Sequence, residues 1–196
     1  KELLERDIST PEKLAAWLKD QSELEAVVSE DACWRQIKMT CDTENKTLEE
    51  AFTYFCMEIQ PKIQPFADRL NKKLIDCPFT KELETSKYYT YLRNVKKNID
   101  LFREANIPLQ AELNVMQQQF AVISGKMSVE VGGQEYTLQQ AAKFLEDPDR
   151  KLREEVYHKI NTRRLRDNKE LNELFSSLLH KRQQVAVNSG FTNYRD

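Results

Sequence analysis

The chain has 196 residues, 32% of them charged, a formal net charge of −2 and a mean hydropathy of −0.70. That length suits one large domain or two small ones. The near-neutral charge offers no global field for nucleic acid, no apolar run approaches the length of a membrane span, and no signal peptide is visible.

Ser9-Thr10-Pro11 predicts a helix start, with Thr10 as N-cap and Pro11 at the first helical position, where its missing N–H costs nothing. Leu14, Trp17, Leu24, Val27, Trp34, Ile37 and Cys41 follow at helical steps and predict one buried face, with an interruption expected near Asp20–Ser22. A second stripe runs Leu48, Phe52, Phe55, Ile59, Ile63, Phe66, Leu70, Leu74. Pro61 and Pro65 lie inside it, each removing a backbone donor and predicting a kink; Cys77-Pro78 marks a stop. The third stripe, Tyr88, Tyr91, Val95, Ile99, Phe102, is expected to end near Asn106-Ile107-Pro108, and Leu109, Leu113, Met116, Phe120 and Ile123 resume it.

Three of the four glycines fall between Gly125 and Gly133. Val129, Val131 and Tyr136 flank Gly132-Gly133, a pair able to supply the positive φ angles of a tight hairpin turn. Thr137 and Gln140 form a capping box opening a short helix, Leu138 to Leu145. Asp147-Pro148 is expected to cap the next helix, through Leu152, Val156 and Ile160. A last stripe, Leu171, Leu174, Leu178, Arg182, Val185, closes at Asn188-Ser189-Gly190. The expected fold is mainly α: an antiparallel helical bundle with long helices and one inserted β-hairpin, about Met127–Tyr136.

Few residues carry chemistry. Glu155 and His158 have the Glu-x-x-His spacing of di-iron bundles, but His180 has Ser177 three residues before it, so a second copy is absent. Cys33, Cys41, Cys56 and Cys77 form no C-x-x-C pair and read as reduced thiols, Cys33 and Cys41 as small core residues. Arg150–Lys169 holds eight basic residues against three acidic, and reads as a solvated helix face or as a site for peptide carboxylates or an acidic lobe. Tyr88 and Tyr91 read as core or core-edge. Among these features the hairpin is the best functional candidate, because a short two-stranded ribbon is marginal alone and must dock on something.

The strings QSELEAVVSEDACWRQIKMTCDT, LNKKL at Leu70–Leu74, LFREANIPLQAEL at Leu101–Leu113, the hairpin segment, DPDRKLREEVY and LLHKRQQVAVNSGFTNYRD together resemble the oligoendopeptidase F family. These are zinc metallopeptidases related to the thimet oligopeptidases, and the resemblance covers essentially the whole chain. It implies a parent enzyme that hydrolyses short peptides, enclosing its zinc in a channel between helical lobes. That makes Met127, Val129, Val131 and Tyr136 of the hairpin substrate-channel candidates: it either lies at the channel and offers an edge strand to an extended peptide, or merely caps the bundle. The parent's chemistry needs His-Glu-x-x-His on a helix. His158 is followed by Lys-Ile-Asn-Thr and His180 by Lys-Arg-Gln-Gln, so neither opens that motif; in the family it lies downstream of the segment matched here. The expectation is therefore an internal fragment, binding no cofactor itself and without catalytic or metal residues. Residues 1–148 would form an amino-terminal helical lobe including the hairpin, and 149–196 the first helices of a truncated peptidase domain. Its partners would be short peptides and the missing carboxy-terminal catalytic domain, with no nucleic acid and no membrane, in the cytoplasm. The alternative is a stand-alone helical peptide- or protein-binding module lacking catalysis.

Overall fold

In the computed structural model, which describes residues 1–83 and 85–195, helices predominate and the one sheet is a two-stranded antiparallel ribbon. Helix α1 spans Glu2–Glu5 and α2 Pro11–Cys41. Thr10 caps α2 as expected, its hydroxyl accepting from the Lys13 amide at 3.3 Å. The interruption expected near Asp20–Ser22 is absent, and α2 runs unbroken for 31 residues. Nothing in Asp20-Gln21-Ser22 breaks a helix, being neither Pro nor Gly.

The second stripe becomes one continuous rod. Helix α3 (Lys46–Tyr54) passes through a π-helical turn at Phe55–Ile59 into α4 (Gln60–Asp76). Pro61 and Pro65 would clash with the carbonyls four residues earlier in regular α geometry. A wider turn placed just before Pro61 accommodates the first of them without ending the helix. Cys77-Pro78 stops α4 as expected and leads into a 3-10 turn, Pro78–Glu82.

Helix α5 spans Thr85–Leu101 and α6 Asn106–Gly125. Asn106-Ile107-Pro108 is thus the first turn of α6 rather than a stop, because a proline early in a helix loses no intrahelical bond. The ribbon pairs β1 (Ser128–Val131) with β2 (Gln134–Thr137), Val129 opposite Tyr136 and Val131 opposite Gln134. Gly132 and Gly133, at φ 61° and 80°, make the turn. Both halves of the Thr137–Gln140 capping box are present at the start of α7 (Leu138–Ala142), which tightens to a 3-10 turn over Lys143–Glu146. Helix α8 (Arg150–Arg166) is capped by Asp149 rather than Asp147; Asp147 instead accepts from the Asp149 amide, holding the turn that delivers the cap. Helix α9 (Asn168–Asn188) ends as expected. Gly190 sits at φ 90°, with Phe191 N–H bonded to the Ala186 carbonyl and Gly190 N–H to that of Val187, a Schellman closure.

The helices bury their apolar faces in four clusters rather than one core. Leu14 and Trp17 of α2 meet Leu70 and Leu74 of α4 and Val95 of α5, and Trp17 Nε1 donates to the Leu3 carbonyl at 2.8 Å. Lys73 of α4 gathers the carbonyls of Leu3, Leu4 and Arg6, closing the C-terminal end of α1 with a cation. Met39 packs with Phe52 and Cys56, and Leu113 of α6 with Leu174, Leu178 and Val185 of α9. The fourth cluster lies under the hairpin.

Helix α2 touches the body at its two ends, through Leu14, Trp17 and Gln21 and through Met39. Between them the predicted apolar face stays largely uncovered: Val27 is 66%, Trp34 52% and Ile37 48% exposed. Cys33 and Cys41 are exposed thiols, not core residues; Cys56 and Cys77 are buried. The physical reason is that periodicity marks a face able to be buried, while the helices that bury it come from elsewhere in the chain.

Candidate functional site

The hairpin is held to the body by its own alternation. Val129 and Val131 point inward with Met127 and meet Leu138, Ala141, Val156 and Ile160; Glu130 between them faces solvent. Tyr136, half-buried, meets the Phe144 ring edge-on at 5.2 Å, and the Lys143 ammonium lies over both rings. Lys159 of α8 donates to the Glu130 carbonyl at 2.8 Å and pairs with Glu155 at 2.6 Å. The outer face of β1 is thereby tied to α8, while the Thr137 amide is taken by Gln140. Of the four hairpin candidates, Met127, Val129 and Val131 anchor the ribbon and only Tyr136 reaches its edge.

A second feature, which the sequence reading missed, is a groove of about 660 Å³ where α4, α5, α6 and the segment after α9 converge. Its floor is organised by Asn106, a buried carboxamide at the first turn of α6. Asn106 Nδ2 donates to the Val185 carbonyl at 3.1 Å and to Ser189 Oγ at 3.0 Å, and its Oδ1 accepts from Asn188 Nδ2 at 2.8 Å. The guanidinium of Arg103 caps the end of α5 through the carbonyls of Asp100 and Phe102 and reaches toward that of Ser189. On the α4 wall, Asp68 is 7% exposed and paired with Lys72 at 2.6 Å. No sequence signal pointed to Asp68: it lies two positions before Leu70, about 160° around the helix from the apolar stripe. Asn106 read as part of a stop.

A more apolar groove of about 910 Å³ lies where α2 bridges over α4, lined by Leu24, Val28, Phe55, Ile63 and Phe66. Its rim carries Arg6, which pairs with Asp20 and with Glu2; these partners raise the Arg6 guanidinium above its ordinary range.

Among the described residues no group of His, Cys, Asp and Glu is placed to hold a metal ion. Glu155 is engaged by Lys159, His158 stacks edge-on with Tyr157, and His180 lies 3.3 Å from the Gln184 carboxamide. The donor set a zinc peptidase needs does not fit these residues, and no step of such a reaction can be assigned to them. No helix of the described residues is long and apolar enough to cross a membrane.

The sequence profile of the peptidase M3 N-terminal domain matches residues 1–102. No curated protein matches the chain. Among solved structures, an oligoendopeptidase F from crystals grown by microfluidic seeding superposes with a TM-score of 0.90 at 22% identity, over 98% of this chain and 34% of that chain. An oligoendopeptidase F from Bacillus anthracis str. Ames gives 0.87 at 19% identity, over 95% of this chain and 34% of that one. PZ peptidase A, solved with an inhibitor, gives 0.87 at 20% identity over 95% and 33%. At these identities the likeness is one of fold, and this chain spans about a third of each of those chains. With the profile covering the first half of the chain, the chain belongs to the peptidase M3 family, and residues 1–102 match its N-terminal domain.

Proposed function

We propose that this chain is the non-catalytic amino-terminal part of a zinc-dependent oligoendopeptidase acting on short peptides, and that it forms a wall of the substrate channel. One observation carries the reading: nearly the whole chain superposes on oligoendopeptidase F, yet on only 34% of that chain. In this reading the missing carboxy-terminal catalytic domain supplies the zinc ligands and the general base. Residues 1–148 are the lobe, and 149–196 begin the catalytic domain. The half-exposed Val27, Trp34 and Ile37 on one face of α2 favour a lobe with a partner surface over a stand-alone module, which would cover such a stripe. The four unpaired thiols suit a reducing compartment, and the cytoplasm is where this reading places the parent.

Two experiments test it. The chain alone, with added zinc, is expected to leave an internally quenched peptide uncut; zinc-dependent hydrolysis that co-purifies with it would overturn the non-catalytic role. In the parent enzyme, removal of Met127–Tyr136 is expected to lower the melting temperature, because Met127, Val129 and Val131 are buried, and to change the preferred peptide length of the enzyme that stays folded. Unfolding with no change in length preference would return the hairpin to a purely structural role.

A further inference from the structure

Helix α2 and the α3–α4 rod meet at two places and part between them. Leu14 and Trp17 pack on Leu70 and Leu74 at one end, and Met39 packs on Phe52 and Cys56 at the other. The gap between these contacts is the groove of about 910 Å³, with Leu24 and Val28 on the α2 wall and Ile63 and Phe66 on the α4 wall. Leu24 is 50% and Phe66 41% exposed, so both walls offer apolar surface to water. A contiguous apolar concavity left open in this way marks a binding surface. Its volume falls within the range of about 300–1,000 Å³ that holds a single small molecule.

The rim selects the charge of what fills the groove. Its carboxylates are Glu2, Asp20, Glu23 and Glu25, and its basic side chains are Lys1 and Arg6. Arg6 is held between Asp20 and Glu2, so those three charges are spent on one another. Glu25 accepts from the Gln21 carboxamide at 2.8 Å, a neutral partner that leaves its charge in place. Neither Glu23 nor Glu25 enters an ion pair among the described residues. The charge of Glu25 is felt on α5, where the Tyr91 phenol is pushed up by burial first and by that carboxylate second. Two carboxylates therefore stand against the single ammonium of Lys1. An anionic head at this rim meets net repulsion, and a cationic head meets compensation.

We propose that the groove between α2 and α4 binds a small amphiphilic amine, its alkyl body between Leu24 and Val28 on one wall and Ile63 and Phe66 on the other, its ammonium at the rim beside Glu23 and Glu25. The site uses residues of this chain alone and does not depend on the lobe being a channel wall. A second copy of the chain seated in the groove is the competing occupant, and the test separates the two.

Isothermal titration of the 196-residue chain would compare decylamine, decanol and decanoate, each below the concentration at which it forms micelles. Decylamine is expected to bind best, decanol about two- to fivefold more weakly for want of a rim ion pair, and decanoate about tenfold or more below the amine. Added salt is expected to weaken the amine and leave the alcohol unchanged, since the rim is exposed to solvent. The double variant Glu23→Gln, Glu25→Gln is expected to bring the amine down to the level of the alcohol, a readout that a loss of folding would not mimic. Ser29→Trp, at an exposed position lining the groove, is expected to block all three ligands with the circular dichroism unchanged. The proposal is overturned by an absence of decylamine binding at millimolar ligand, by decanoate binding as well as the amine, or by an amine preference that survives in the double variant. Full binding by folded Ser29→Trp would also overturn it, as would sedimentation of the chain as a dimer that Ser29→Trp converts to a monomer. Each of these results would leave the lobe assignment standing, and peptide hydrolysis by the chain would remove that assignment without touching this one.

Discussion

Asn106 ties the start of α6 to the end of α9 with a single carboxamide. Its replacement by alanine removes three hydrogen bonds and leaves Asn188 Nδ2 and the Val185 carbonyl without that partner. A loss of about 1–3 kcal/mol is expected from leaving buried groups unpaired, read as a lower urea midpoint at unchanged slope. At Gly133 the constraint is backbone alone: φ is 80° and nothing lies within 4 Å of a Cβ built there. Gly133→Val is therefore expected to cost about 1–2 kcal/mol through the left-handed conformation itself, seen as faster amide exchange in the ribbon. The cysteines differ by exposure. Burial pushes the Cys56 thiol up from its ordinary range, so at mildly alkaline pH it holds less thiolate than an unhindered thiol. Cys33 and Cys41 are expected to alkylate first in the native protein, and Cys56 only after denaturant is added. The sign for stability follows: Cys56 keeps its proton in the folded state where the unfolded chain loses it, so its contribution falls as pH rises through that range.

At the scale of the element, the α3–α4 rod shows how two prolines persist in a continuous helix. The π-helical turn at Phe55–Ile59 widens the backbone ahead of Pro61, but Pro65 lies deeper, where its missing donor is a plain loss. Pro65→Ala is expected to raise the melting temperature, by at most the roughly 3 kcal/mol that separates proline from alanine in a helix interior. A lowered melting temperature would mean that the proline's rigidity in the unfolded chain outweighs the lost bond. The caps, stops and hairpin were legible in the sequence because each is a local matter: Thr10, Thr137 and Gln140, Cys77-Pro78 and Gly190 act within a few residues of themselves. The α8 cap was misplaced by two residues, since Asp147 and Asp149 compete for the same role and only the path of the turn separates them.

For the whole molecule, the hairpin cluster joins residues on both sides of the 148/149 division, with Val129 and Val131 packed on Val156 and Ile160. A chain cut after Pro148 is expected to lose protection at the Val129 and Val131 amides in hydrogen exchange, while Trp17, among Leu14, Leu70 and Leu74, stays protected. Retained protection at the hairpin would mean that α7 alone suffices to hold it. Such long-range pairing is where the sequence reading ran out. The apolar stripe of α2 was visible, but Val27, Trp34 and Ile37 stay exposed on it, and nothing in them encodes whether a neighbour lies opposite. Asp68 lies off the apolar stripe of α4 and is nonetheless buried, on the side bordered by α5, α6 and the end of α9.

The sequence by itself determined the helix starts and stops, the glycine turn, the fold class and the likeness to a peptidase family, along with the lack of His-Glu-x-x-His. All of these rest on covalent order, on backbone angles and on hydrogen bonds that close over a few positions. Only the tertiary structure decided which faces are buried, where the four clusters divide, and that Asp68, Arg103 and Asn106 share one groove. Those outcomes depend on elements far apart in the chain packing together, and packing is set by the shape and apolar area of all the partners at once.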